Sequence, residues 1–283
     1  MADLHQTHAQ PALIGAVQVA HDTEVRQSPN GVRFATFGET GLDAPDLDRI
    51  LEAVPAAIVA ALEANTYYFV PAALREDPSR KPVMVAPTWS DDLHDTAICH
   101  RNVELGSGRH GIFISTRLLN DRFALSFEFY INVAHAFVDK AGVPQAFADL
   151  AWQQALDNAR GETSLDAFES RNLAFGRPAN AMPDEPPTLP SRRTRAFAQP
   201  ARSLNASAPI DEKERNAYLD AAFTDAIAIY LLSLAMDFNY SDLRERDYPL
   251  LTPVALAARL RLIAELFPPN PHYEFAIRYR RRA

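Results

Sequence analysis

Gly106-Ser107-Gly108-Arg109-His110-Gly111-Ile112-Phe113-Ile114-Ser115, followed by Ala124-Leu125-Ser126-Phe127-Glu128-Phe129-Tyr130-Ile131-Asn132-Val133-Ala134-His135-Ala136-Phe137-Val138-Asp139-Lys140, is the stretch on which the fold turns. The glycine-serine-glycine turn opens a short apolar run, His110 to Ser115, that reads as a strand. The second run reads as a helix from about Ala124 to Lys140. It stops at Gly142-Val143-Pro144, a glycine and proline pair that cannot continue a helix.

Upstream the elements are short. Gly31 to Phe37, Tyr67 to Val70, Val83 to Ala86 and Ala97 to Cys99 are strand candidates. Between Ala44 and Asn65 the apolar residues Leu47, Ile50, Leu51, Val54, Ile58, Ala61 and Leu62 fall on one helical face. Pro55 marks a kink or a new first turn. Residues 1–30 have no clear period and are expected to be loosely ordered.

Downstream, helices are expected over 145–158, 164–173 (Ser164 as N-cap), 211–236 and 253–266, the last with Pro253 in its first turn. Tyr273 to Tyr279 alternates like a final edge strand. Residues 176–209 hold seven of the chain's 21 prolines and read as a long loop. The expected class is α+β, with a small mixed sheet and a helix-dominated C-terminal half. The expected organisation is 1–30 as a loose segment, 31–175 as an α+β subdomain, 176–209 as the proline-rich loop and 210–283 as a helical subdomain closing a cleft.

A chain of 283 residues, 47% hydrophobic and 23% charged, is ordinary for a globular protein. It can bury roughly three quarters of its unfolded surface without a staple. The net charge of −8 argues against nucleic acid; the basic run at Arg278 to Arg282 is short. Cys99 stands alone, so no intrachain disulfide can form, and a small buried hydrophobe is its expected role. No basic n-region precedes an apolar stretch near residue 1, and the apolar run Ala226 to Met236 is about half a membrane span. The expectation is a cytoplasmic protein, not membrane-bound, with that run as a buried core helix; signal-independent export stays open.

Walker, dinucleotide, nucleophile-elbow and His-Glu-x-x-His motifs are missing from the sequence. His135 is the notable residue of the long helix. Ile131, His135 and Asp139 share one face at four-residue spacing, and Glu128 lies seven residues before His135 on roughly the same face. Glu128 is expected to be a solvated surface residue. Tyr218 to Leu231 is an apolar helix carrying Asp225 on its buried stripe. Burying that acid is costly, so it needs a partner, with His135 or an arginine as the candidates.

The strand 110–115, the helix with Ala134-His135-Ala136-Phe137-Val138-Asp139, and the later Phe223-Thr224-Asp225-Ala226-Ile227-Ala228-Ile229-Tyr230-Leu231 together resemble the zincin metallopeptidases, in particular the branch that includes anthrax lethal factor. The resemblance spans roughly residues 42–266 and is strong in two stretches of about a dozen residues. It implies a zincin-like fold in which His135 matches the second histidine ligand and Asp225 the acidic ligand. Asp139 matches a helix-end aspartate, and Tyr240 or Tyr248 matches an oxyanion-stabilising tyrosine. The chain departs from the family at the first ligand, where it has Ile131, and at the general base, where Asn132 cannot titrate. Two ligands fall short of the three that a catalytic zinc site uses.

The expected function is therefore a degenerate zincin-like protein, with no metal and no cofactor, whose former cleft binds a peptide or small-molecule ligand. Ile131, Asp139, Ile112, Ile114 and Tyr240 would line that cleft, and the strand 110–115 would form its edge. One alternative is an acid/base enzyme using His135, oriented by Asp225 or Asp139, with Asn132 donating to a ligand carbonyl. The other is a remodelled metal hydrolase using His135, Asp139 or Asp225, and one of His94, His100 or His110.

Overall fold

The structure, a computed structural model, describes residues 12–75, 83–181, 209–243 and 248–277. Most of the proline-rich segment and the terminal arginines lie outside the described residues. The sheet-rich part contains strands β1 (Ile14–Gly15), β2 (Arg26–Gln27), β3 (Arg33–Thr36), β4 (Asn65–Val70), β5 (Ala72–Leu74), β6 (Met84–Ala86), β7 (Ala97–Ile98), β8 (His100–Gly106) and β9 (Arg109–Ser115). The helices there are α1 (Ala16–Asp22), α2 (Ala44–Glu52), α3 (Ala56–Val59) and α4 (Arg122–Ala141). The remainder is helical: α5 (Gln145–Leu156), α6 (Leu165–Ala174), α7 (Glu212–Ala235) and α8 (Pro253–Leu266). The protein is thus a mixed α+β fold with an N-terminal sheet region and a helix-dominated C-terminal half.

The chain divides into two compact units. Unit 1 comprises Met1–Ala141, Ala228–Met236 and Leu266–Arg278; unit 2 comprises Gly142–Ile227, Asp237–Glu265 and Tyr279–Ala283. This differs from the expected boundary at 175, because α5 shares aromatic contacts both with the residue that closes α6 and with the first part of α7. Phe147 meets Phe223 at 4.8 Å, and Trp152 lies between Phe175 at 5.2 Å and Tyr218 at 6.2 Å.

In unit 1 the larger sheet has the order β2-β3-β4-β9-β8, and a smaller one has the order β1-β6-β5-β7. β3, β4 and β9 run parallel, while β2 and β8 are antiparallel to their neighbours. Alternation divides the faces of the larger sheet. Tyr68 stacks on Phe113 at 4.7 Å over the face that α1 covers with Ala16 and Val19. Tyr67 and Phe69, on the opposite face, pack against Phe129 of α4 at 5.0 and 5.8 Å. Ser115 ties the sheets together: its hydroxyl accepts from the Ala73 amide at 2.7 Å and donates to the Ile98 carbonyl.

Two sequence expectations need correction. Residues 14–27 form β1, α1 and β2, since Ala16 and Val19 reach a core with no sequence period of their own. Residues 273–277 form no strand; Phe275 packs on Tyr230 at 5.3 Å and the Tyr273 hydroxyl donates to the Arg49 carbonyl, so side chains rather than a ladder hold this segment. Of the two expected readings of Pro55, the new first turn is the one found: Pro55 stands at the N-cap of α3, apart from α2. α7 is long and apolar enough to cross a membrane by length and composition, but 67% of its most apolar window is buried within the protein, as in a core helix.

Candidate functional site

The hairpin β8–β9 brings His100 to α4. Its turn occupies Gly106 to Gly108, with Gly106 and Gly108 both at positive φ, where glycine carries no Cβ penalty. Pairing back from the turn sets Asn102 opposite Ile112 and His100 opposite Ile114. Cross-strand partners share a face. His100 therefore projects on the same side as Ile112 and Ile114, the side that α4 covers, while Val103 and Leu105 pack against the core on the other face.

On α4 the carboxylate of Glu128 receives this imidazole. His100 Nδ1 pairs with Glu128 Oε1, with the imidazole side chain 40% exposed and the carboxylate side chain 17% exposed. Asn132, one turn further along α4, donates its amide to the Glu128 carbonyl at 2.8 Å and to the same Oε1 at 3.2 Å. Asn132 is buried, and both of its amide hydrogens are directed to Glu128. It is not positioned to donate to a ligand carbonyl, and Glu128 is not the solvated surface residue expected from sequence.

The other sequence-selected residues of unit 1 disperse. Ile112 and Ile114 are buried at 4% and 0% exposure, because β9 is an interior strand between β4 and β8. They belong to the core and cannot line a cleft, and the outer strand is β8, not 110–115. His135 and Asp139 are exposed on α4, and Ile131 is half-buried. Cys99 is exposed, because it lies in the link between β7 and β8 rather than inside a strand. A cavity of about 680 Å³ opens at the opposite sheet edge, lined by Arg26, Gln27, Arg33, Val59 and Glu63 among others.

Unit 2 holds a second polar cluster, built around Glu162. Gly161, at φ +78°, lets the chain approach residues 249–250; a Cβ there would sit 2.1 Å from the Leu250 carbonyl oxygen. The Glu162 amide donates to the Pro249 carbonyl, and the Leu251 amide donates to the Glu162 carbonyl. The side chain of Glu162 is fully buried and meets Arg171 at 2.9 Å and Arg259 at 3.0 Å. The Tyr218 hydroxyl donates to it at 3.1 Å. Arg259 also donates to Gln154 and to the Tyr218 oxygen, so the buried charges are satisfied internally.

Asp225 and Tyr240 lie beside this network. The Thr163 hydroxyl donates to Asp225 at 2.8 Å, and Ser164 adds a second hydrogen bond. Burial pushes the Asp225 carboxyl up to about 6; the two hydroxyls and Arg259 pull it down, and Glu162 pushes it further up. The compensation that Asp225 needs comes chiefly from hydroxyls of its own unit, whereas His135 belongs to unit 1. The Tyr240 hydroxyl is buried with no hydrogen-bond partner among the described residues. Burial raises its pKa, and the neighbouring Tyr248 and Asp225 add to the rise. The Tyr248 hydroxyl donates to the Thr163 carbonyl at 3.1 Å.

Among the described residues no group of three or more His, Cys, Asp or Glu side chains could hold a metal ion. A three-ligand zinc site of the peptidase kind is therefore not built there, and zinc-dependent peptidase activity is not supported. Family models, curated proteins and solved structures contain no match to this chain. The residues that sequence reasoning missed are His100 as the partner of Glu128, and Glu162. The signal for His100 was present: with Gly106 to Gly108 read as a hairpin turn, counting back puts His100 opposite Ile114.

Proposed function

We propose that this chain is a zincin-like scaffold without zinc proteolysis, whose outer strand β8 and helix α4 bind an extended peptide. The observation that carries the reading is the state of the motif helix. Where the family resemblance calls for a zinc ligand and a general base, the chain has Ile131 and Asn132, and Asn132 is committed to Glu128. The topology supports the peptide. β8 is outermost in its sheet, and its outer rim has no ladder partner among the described strands. A ligand backbone can add there as a further strand.

Hydrogen exchange on the full chain with a panel of short extended peptides tests this. Slowed exchange of β8 amides, with β2 at the other sheet edge unaffected, is the expected result. The peptides should stay uncleaved with or without added zinc. Binding that leaves β8 amides unprotected, or no binding across the panel, would overturn the proposal.

A further inference from the structure

We infer that His100 is the proton-carrying group of an acid/base site on unit 1, with Glu128 and Asn132 as its positioning residues and small carboxylic esters as its substrate class. This goes beyond peptide binding and holds whether or not a peptide adds to β8. A carboxylate can only accept, so the hydrogen between His100 Nδ1 and Glu128 Oε1 resides on the imidazole. In the neutral ring that fixes the tautomer and leaves Nε2 with its lone pair. Nε2 has no hydrogen-bond partner among the described residues, and the side chain is 40% exposed, so water and small solutes reach it.

The dyad is held from both sides. His100 is fixed by its pairing with Ile114 in the hairpin. Glu128 sits on a helix whose buried face carries Leu125, Phe129 and Asn132. One Asn132 bond, to Oε1, keeps the carboxylate turned toward β8, while the other anchors the Asn132 amide on the Glu128 backbone carbonyl. An imidazole oriented by a carboxylate that is itself oriented is the arrangement a general base requires.

In the reaction, Nε2 takes a proton from a water molecule as the water oxygen bonds to the acyl carbon. The tetrahedral adduct collapses with cleavage of the carbon–oxygen bond to the leaving group, and the imidazolium returns the proton to the leaving oxygen. Ester and water give acid and alcohol, and His100 is restored with no other reagent consumed. Activated esters fit this apparatus; amides, whose leaving groups are far poorer, do not.

The test uses the full chain with p-nitrophenyl acetate, read as turnover beyond one acyl equivalent per protein so that stoichiometric acylation of Cys99 or lysines is not counted. Turnover should fall about tenfold or more in His100→Gln, fall severalfold in Glu128→Gln, and be unchanged in a variant of the exposed His272, His272→Asn. Equal turnover in the parent and His100→Gln would overturn the assignment. An independent readout needs no variant: nitrogen NMR of the neutral ring at alkaline pH should find the His100 hydrogen on Nδ1. A hydrogen on Nε2 would overturn the positioning role of Glu128, even if every variant failed to fold.

Discussion

Glu128 in unit 1 and Glu162 in unit 2 are both hydrogen-bonded carboxylates, yet their surroundings assign them opposite roles. Glu162 is enclosed by two guanidinium groups and a tyrosine hydroxyl, all buried with it. Every charge there is answered by the protein, so nothing is left over for a ligand. Glu128 has a buried amide on one side and a half-exposed imidazole on the other. Its network ends in an atom that faces water. Burial of the last member of a network, more than its composition, decides whether the cluster holds a fold together or is open to chemistry.

The sharpest way to break this comparison is to remove each carboxylate. Glu162→Ala leaves two buried arginines without a counter-charge and should cost about 3–5 kcal/mol, a large share of the ~5–15 kcal/mol that holds a domain together. Denaturant melts would show a collapsed midpoint or no cooperative transition. A loss below about 1 kcal/mol would mean that Glu162 is no more structural than a surface acid.

Asp225 should show the next largest effect, as a pH dependence. Its carboxyl stands at about 6 in the folded state against an ordinary value of 3.8. The folded chain therefore binds the proton more tightly than the unfolded one between those values. Stability from this group is greatest at low pH, falls as pH rises through that window, and is level above about 6; the full change is at most about 3 kcal/mol. Asp225→Asn should flatten that part of the stability profile. A parent profile that rises between pH 4 and 6 and is unaltered by the variant would contradict the burial of this acid.

Glu128→Gln should change stability by less than about 1 kcal/mol, since its contact with His100 is partly solvated. A loss as large as that from Glu162→Ala would erase the contrast between the two clusters. The smallest effect concerns metal. Dialysed protein should carry no stoichiometric zinc, and His135→Ala should leave its metal content unaltered. One equivalent of zinc, lost in that variant, would revive the remodelled metal site and move the functional weight of unit 1 from His100 to His135.

How much of this was legible beforehand differs between fold and site. The helices α4 to α8 and the strands β3, β4, β6 and β9 follow from periodicity, caps and breakers that act within a few residues: Ser164 accepting from the Ala167 amide, Pro55 capping α3, glycines at the β8–β9 turn. Asp225 was legible as an acid in need of compensation. Its donors were not, because Thr163 and Ser164 are 62 and 61 positions away and nothing local marks them. Ile112 and Ile114 read equally well as cleft or core, since an apolar strand has the same sequence at the edge of a sheet as in its middle.

The sequence by itself determined the helices from α4 onward and the strands β3, β4, β6 and β9, and that positions 131 and 132 carry Ile and Asn, neither of which titrates. Those properties depend on backbone sterics and side-chain chemistry, which are local. The tertiary structure alone decided that β8 rather than β9 lies outermost, that His100 rather than His135 meets a carboxylate, and that Glu162 is sealed while Glu128 is half open. Strand order and burial arise from contacts between residues far apart in the chain, and no local preference encodes them.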